Sequence, residues 1–173
     1  MKKVCLTGGE STGKTQLARA LAGHFHAPMV EEFVRGYAAR RHGPLEFADH
    51  GPIARGQMAL EDAAIADADG VVILDTDLVS TVVYCEHYFG RCPPWIQNAA
   101  KARMADLYLL LMPDIPWVGD GVRDRAGARD EMHALFRAAL DAMGARVVEI
   151  GGVGDQRLAA AIGAIEAVAN RPA

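Results

Sequence analysis

Cysteine is scarce in this sequence. Cys5, Cys85 and Cys92 are an odd count with no CxxC pair. Neither a disulfide framework nor a zinc site is expected, and the thiols read as reduced, buried apolar groups of a cytoplasmic protein. Long apolar runs are missing too. Only Val4 to Leu6 follow Met1-Lys2-Lys3, too few for a signal peptide, and Leu107 to Met112 falls far short of a membrane span. Glycine and proline, at 18 and 8 residues, are too few for a linker or low-complexity chain. Basic residues are outnumbered, 18 against 22, and a net charge of −4 argues against gripping nucleic acid through bulk charge. A local basic pocket for a small anion remains open. A length of 173 residues gives room for one domain, residues 1–173.

What is present is a regular alternation of strand-like and helix-like segments. Short β-favouring runs fall at Lys3 to Thr7, Pro28 to Val30, Val71 to Leu74, Leu107 to Leu111 and Arg146 to Ile150. Between them, Leu17, Ala18, Leu21, Ala22 and Phe25 recur at helical spacing, and helices are also expected over 32–41, 49–69, 95–104 and 131–143. Leu158, Ile162, Ile165 and Val168 stripe a last helix. Residues 78–89 are locally ambiguous, because Val79, Thr81, Val82 and Val83 favour a strand. Parallel strands need a crossover there, so a helix is expected. The pattern predicts an α/β protein, a parallel sheet covered on both faces.

Gly8-Gly9-Glu10-Ser11-Thr12-Gly13-Lys14-Thr15 satisfies GxxxxGK[ST] between the first strand and the first helix. Glycines let successive backbone N–H groups converge on phosphate oxygens, and the start of the following helix adds its positive end. Lys14 supplies a charge for the β- and γ-phosphates of ATP, and the Thr15 hydroxyl is a ligand for Mg²⁺. A carboxylate is wanted at the end of a neighbouring strand. Asp75 after Val71 to Leu74 is the natural candidate, with Asp77 either helping it or facing the substrate. Arg123, Arg125 and Arg129, interleaved with glycines in a candidate lid over 117–129, are suited to neutralising the charge of a transferring phosphoryl group. Tyr37, Tyr84, Tyr88, Phe89, Trp95 and Trp117 are candidates to stack an aromatic substrate, with Trp95 and Trp117 preferred.

Other phosphate-loop branches are set aside by what is missing. Asn98 and Asn170 are not followed by Lys, so the base-reading motif of GTPases is absent, as is Leu-Ser-Gly-Gly-Gln. A compact chain with late arginines fits a small-molecule kinase. The sequence resembles the ribosylnicotinamide kinase domain at the C-terminus of the bifunctional NAD-salvage regulator, and the related small AAA-type ATPases. The resemblance rests on the phosphate loop, Glu32-Phe33-Val34-Arg35, Ile73-Leu74-Asp75-Thr76-Asp77 and Trp117-Val118-Gly119-Asp120-Gly121-Val122-Arg123, which occur in that order. It implies a three-layer α/β/α P-loop kinase fold with a five-stranded parallel sheet of order 2-3-1-4-5. It also implies ATP and Mg²⁺ as cofactors, and phosphorylation of the 5′-hydroxyl of nicotinamide riboside.

Glu32 and Arg35 match a Glu-x-x-Arg pair placed to meet the acceptor, Glu32 at its hydroxyls and Arg35 at the arriving phosphate. The regulator carries adenylyltransferase and DNA-binding domains before its kinase, whereas here the phosphate loop begins at residue 8, so neither activity is expected in this chain. The alternatives are another acceptor (a deoxynucleoside, a nucleoside monophosphate or dephospho-coenzyme A) or an ATP-dependent switch module.

Overall fold

The computed structural model describes residues 1–41, 43–66, 68–114 and 126–169. Its elements run β1 (Lys2–Thr7), α1 (Lys14–Phe25), β2 (Met29–Val30), α2 (Phe33–Arg40), a 3₁₀ turn (Phe47–Asp49), α3 (His50–Ala66), β3 (Val71–Asp75), α4 (Leu78–Phe89), α5 (Pro94–Ala102), β4 (Leu107–Leu111), α6 (Ala126–Ala142), β5 (Val147–Ile150) and α7 (Gly154–Ala169). The five strands form one parallel sheet of order β2-β3-β1-β4-β5, as expected.

Alternation along the central strands divides the core in two. Val4, Leu6, Ile73, Leu107, Leu109 and Leu111 point to one face, where Leu17 and Leu21 of α1 and Ala161, Ile165 and Val168 of α7 cover them. Cys5, Val72, Leu74, Tyr108 and Leu110 point to the other, beneath α3, α4, α5 and α6. All three thiols are buried and free. No helix among the described residues is long and apolar enough to cross a membrane.

The ambiguous segment is helical. Asp77 caps α4 by accepting from Val79 N at 2.9 Å, and left-handed Gly90 closes the other end. In between, Leu78, Val79, Val82, Val83 and Cys85 are buried. Packing outweighs the strand preference of the β-branched residues. Helix boundaries move: α3 ends at Ala66 rather than residue 69, and α5 at Ala102 rather than residue 104. α3 starts one residue late, behind the 3₁₀ turn, and α6 starts at Ala126 rather than Glu131. The end of the candidate lid, 126–129, is therefore the first turn of a helix. The rest of it, with Trp117, Arg123 and Arg125, lies outside the described residues.

α2 buries none of its own residues, and its position comes from its first one. Phe33 N–H donates to the Gln57 Oε1 at 2.9 Å, and the Phe33 ring lies flat against Gly56. A Cβ on Gly56 would fall well inside van der Waals contact of three atoms of that ring. Gly23, in α1, has nothing within 4 Å of the same position. Gly23→Ala is expected to raise stability by up to about 1 kcal/mol, the usual helix-propensity gain. Gly56→Ala should forfeit that gain and cost about 1 kcal/mol through the displaced ring. Thermal unfolding of the two variants checks both signs.

Candidate active site

Between β1 and α1 the chain turns through left-handed conformations, with positive φ at Gly8, Ser11 and Gly13. Gly8 is also forced by space, because a Cβ there would lie 3.1 Å from the Leu111 carbonyl oxygen. Thr12 Oγ1 donates to Gly9 O at 2.9 Å and ties the loop across itself. Lys14 Nζ donates to the carbonyls of Gly8 and Gly9 at 2.9 and 2.7 Å. Burial pushes the Lys14 ammonium below its ordinary pKa, while Glu32, Asp75 and Glu10 oppose that shift. Those carboxylates, from three different segments, all face one lysine.

Parallel pairing of β1 with β3 sets Leu6 level with Asp75, so the two strand ends open side by side. Thr15 Oγ1 donates to Asp75 Oδ2 at 2.6 Å. The other oxygen, Asp75 Oδ1, is buried with no hydrogen-bond partner among the described residues. A hydroxyl beside a carboxylate with one oxygen left over is a donor set that fits a hard divalent cation such as Mg²⁺.

Arg35 Nη2 donates to Thr15 Oγ1 at 3.2 Å and to Glu32 Oε2 at 3.3 Å. Glu32, Arg35, Lys14, Thr15 and Asp75 thus converge. Arg129, in the first turn of α6, brings its backbone against Gly9, with its carbonyl oxygen 4.0 Å from where a Gly9 Cβ would lie. Glu10 sits at the exposed rim of the loop. Asp77 is differently placed. Its Oδ1 caps α4 and its Oδ2 accepts from the Tyr108 hydroxyl at 2.6 Å, so both oxygens are engaged, although the residue lines the cavity of the site. Burial pushes its carboxyl above the ordinary range.

A cavity of about 950 Å³ runs from the phosphate loop past Glu32 and Arg35 to His50, Gln57, Tyr84, Tyr88 and Phe89. Tyr84 and Tyr88, one turn apart on α4, hold their rings parallel within 8°, with centroids 6.1 Å apart. Trp95, preferred from sequence, is not part of this wall. It lies under the Arg55 guanidinium, 4.9 Å from its ring centroid. Pro94 opens α5, one residue before the expected helix start, and the indole rests on α3. His50 and Gln57 went unnoticed because α3 carries them as single polar residues without any motif.

A family model described as an AAA domain (AAA_28) matches residues 3–157. The chain belongs to this AAA domain family. Two curated relatives, the trifunctional NAD biosynthesis/regulator protein NadR of Escherichia coli K12 and of Salmonella typhimurium LT2, are each 34% identical over 134 residues. Each match covers 75% of this chain and 33% of the relative. The chain thus spans about a third of the length of these relatives. Among solved structures, a NadR protein in complex with NR superposes with a TM-score of 0.84 at 29% identity, over 99% of this chain and 52% of that one. A NadR protein in complex with NAD and AMP-PNP gives 0.82 at 27%, over 99% and 50%. Thymidylate kinase from Ehrlichia chaffeensis shares the fold, with a TM-score of 0.66 at 14% identity over 94% and 97%.

Below the site, this AAA domain buries a second charged cluster. Glu61 on α3 is 1% exposed, and its Oε2 accepts from Arg103 Nε and Nη2 at 3.3 Å each. Its Oε1 is buried without a partner. Burial, together with the charge of Asp77, pushes the Glu61 carboxyl up to about 7, against the pull of Arg103. The folded chain therefore holds this proton from pH 4.5 to about 7, where the unfolded chain has lost it. More protons bound in the folded state mean that stability falls as pH rises through that window. Glu61→Gln mimics the protonated form and should flatten the fall. Urea unfolding from pH 5 to 8 checks it, and an unchanged slope in the variant would assign the pH dependence elsewhere.

Proposed function

We propose that this chain is an ATP-dependent kinase that phosphorylates the 5′-hydroxyl of nicotinamide riboside to give nicotinamide mononucleotide. One observation carries the reading above the others. The Arg35 guanidinium touches both the Thr15 hydroxyl of the phosphate loop and the Glu32 carboxylate, so donor and acceptor sides of a phosphoryl transfer meet at one residue. The NadR structures, one in complex with NR and one with AMP-PNP, support the two substrates.

In this reading the phosphate loop cradles ATP, and Lys14 exchanges its contacts with the Gly8 and Gly9 carbonyls for phosphate oxygens. Thr15 and Asp75 would hold Mg²⁺, which would neutralise charge on the phosphates. Glu32 accepts the acceptor's hydroxyl hydrogen and orients its oxygen for in-line attack. As that oxygen bonds to the γ-phosphorus, the bond from phosphorus to the β–γ bridging oxygen breaks, leaving ADP. Arg35 holds the arriving phosphoryl oxygens, and the charges of Arg123, Arg125 and Arg129 are assigned the same task of neutralising the transferring group. The aromatic wall of Tyr84 and Tyr88 suits a flat cationic ring, and Tyr88, 65% exposed, has a face to offer. Asp77 acts at a distance, by fixing the turn that carries Asp75.

Chromatography of reactions with ATP and nicotinamide riboside should show nicotinamide mononucleotide and ADP. Lys14→Ala should lower turnover by about two to three orders of magnitude and shrink the thermal stabilisation given by Mg²⁺·ATP. Glu32→Gln should raise the acceptor KM, lower kcat, or both, with ATP affinity unchanged. Turnover of another nucleoside with no nicotinamide mononucleotide formed would leave the kinase and remove the substrate.

A further inference from the structure

We propose that Arg157 is a positioning residue that sets the phosphate loop for nucleotide binding. The proposal rests on the reading of that loop as the ATP site. Arg157 lies on α7, opposite the acceptor side, and is 4% exposed. Its Nη1 donates to the Thr12 carbonyl at 3.0 Å. Its Nη2 donates to the Met112 and Ile150 carbonyls at 2.8 and 3.1 Å, and to Asp114 Oδ1 at 3.2 Å. One guanidinium thus collects the loop after β1, the residue after β4 and the last residue of β5.

A buried cation is costly, and an apolar side chain would close the end of a core more cheaply. The carboxylate paired with it, Asp114, is itself partly exposed and also accepts from Gly152 N–H at 2.7 Å. The other acceptors are neutral carbonyls, so the ion pair alone does not explain why a charge sits there. The Thr12 contact does. Thr12 is flanked by left-handed Ser11 and Gly13, and at Ser11, which has a Cβ, that conformation costs energy and persists only where its surroundings hold it. The Thr12–Gly13 peptide is planar and trans, so its carbonyl and N–H point in opposite directions. Anchoring the carbonyl on Arg157 turns the Gly13 N–H the other way, the orientation a loop that binds an anion through backbone donors requires. The Thr12 hydroxyl, bonded to Gly9 O, fixes the same residue from its second side. A planar fork holds the Thr12 carbonyl on one nitrogen and the Met112 and Ile150 carbonyls on another, a fixed spread that the single nitrogen of a lysine does not reproduce.

The test is calorimetric titration of Mg²⁺·AMP-PNP into the wild type, Arg157→Gln and Arg157→Lys, with thermal unfolding of each. The expected result is a Kd raised at least tenfold in Arg157→Gln and less in Arg157→Lys, with the acceptor KM unchanged. A merely structural arginine would lower the unfolding temperature and the active fraction while leaving the Kd of the folded molecules alone. A folded Arg157→Gln or Arg157→Lys protein with wild-type Kd overturns the proposal. So does failure of both to fold, which would make Arg157 a core residue only. Absence of binding by the wild type would instead remove the nucleotide reading itself.

Discussion

The 2.6 Å hydrogen bond from the Thr15 hydroxyl to the Asp75 carboxylate joins residues 60 positions apart. It exists because β1 and β3 run side by side in the same direction and end level with one another. Parallel strands demand a covered crossover, and covering both faces demands apolar residues at every position of the central strands. Leu107, Tyr108, Leu109, Leu110 and Leu111 are all buried for that reason. Polar chemistry is then excluded from the sheet and gathers where the strands stop, at Thr15 and Asp75. Glu32 and Arg35 join them because β2 is parallel as well and ends at the same edge.

Much of this is legible in the residues. GxxxxGK[ST] carries its own geometry, since only left-handed backbone places so many N–H groups on one point, and the structure has positive φ at Gly8, Ser11 and Gly13. Strand order follows from that motif together with Asp75, because the resemblance they carry fixes which strands are neighbours. What sequence leaves out is whatever depends on packing between distant segments. The β-branched run of α4 favours a strand locally, and the helix expected there from the crossover requirement is held by the Asp77 cap and a buried face that no local signal shows. Trp95 looks available until α5 presses it against α3 and Arg55. Glu61 looks like one more surface acid of a helix, yet α3 turns it inward beside Arg103 and Asp77. None of these carries a local signature, because each is decided by what lies across the core.

Asp77 shows how one short motif divides its work. Asp75-Thr76-Asp77 offers two carboxylates within three residues, and residue type alone does not separate them. Their partners do, on either side of Thr76 with its left-handed φ of 76°. Asp75 keeps one oxygen uncommitted beside the phosphate loop, while Asp77 spends both on Val79 N–H and the Tyr108 hydroxyl. A carboxylate with both oxygens engaged is a poor ligand and a good anchor.

The two sides of the site are held with unequal firmness. The phosphate loop, which follows the buried strand β1, is clamped by Thr12 to Gly9, by Lys14 to Gly8 and Gly9, and by Arg157 to Thr12. α2 carries Arg35 and follows directly from Glu32, yet it buries no residue and docks through the Phe33 ring, a backbone hydrogen bond to Gln57, and the Tyr37 hydroxyl on Asp49, besides the Arg35 contact with Thr15. Nucleotide phosphates are the same whatever the acceptor, so a rigid, deeply anchored cradle costs nothing in versatility. In the proposed reaction the acceptor is the part that differs between enzymes of this fold, and the helix assigned to it is attached where substitutions do not disturb either core. A change in Phe33, Gly56 or Gln57 would re-aim Glu32 and Arg35 while Val4, Leu6 and Leu74 stay packed as they are. The fold thereby separates the constant half of the reaction from the variable half, and it does so by distributing burial unevenly between α1 and α2.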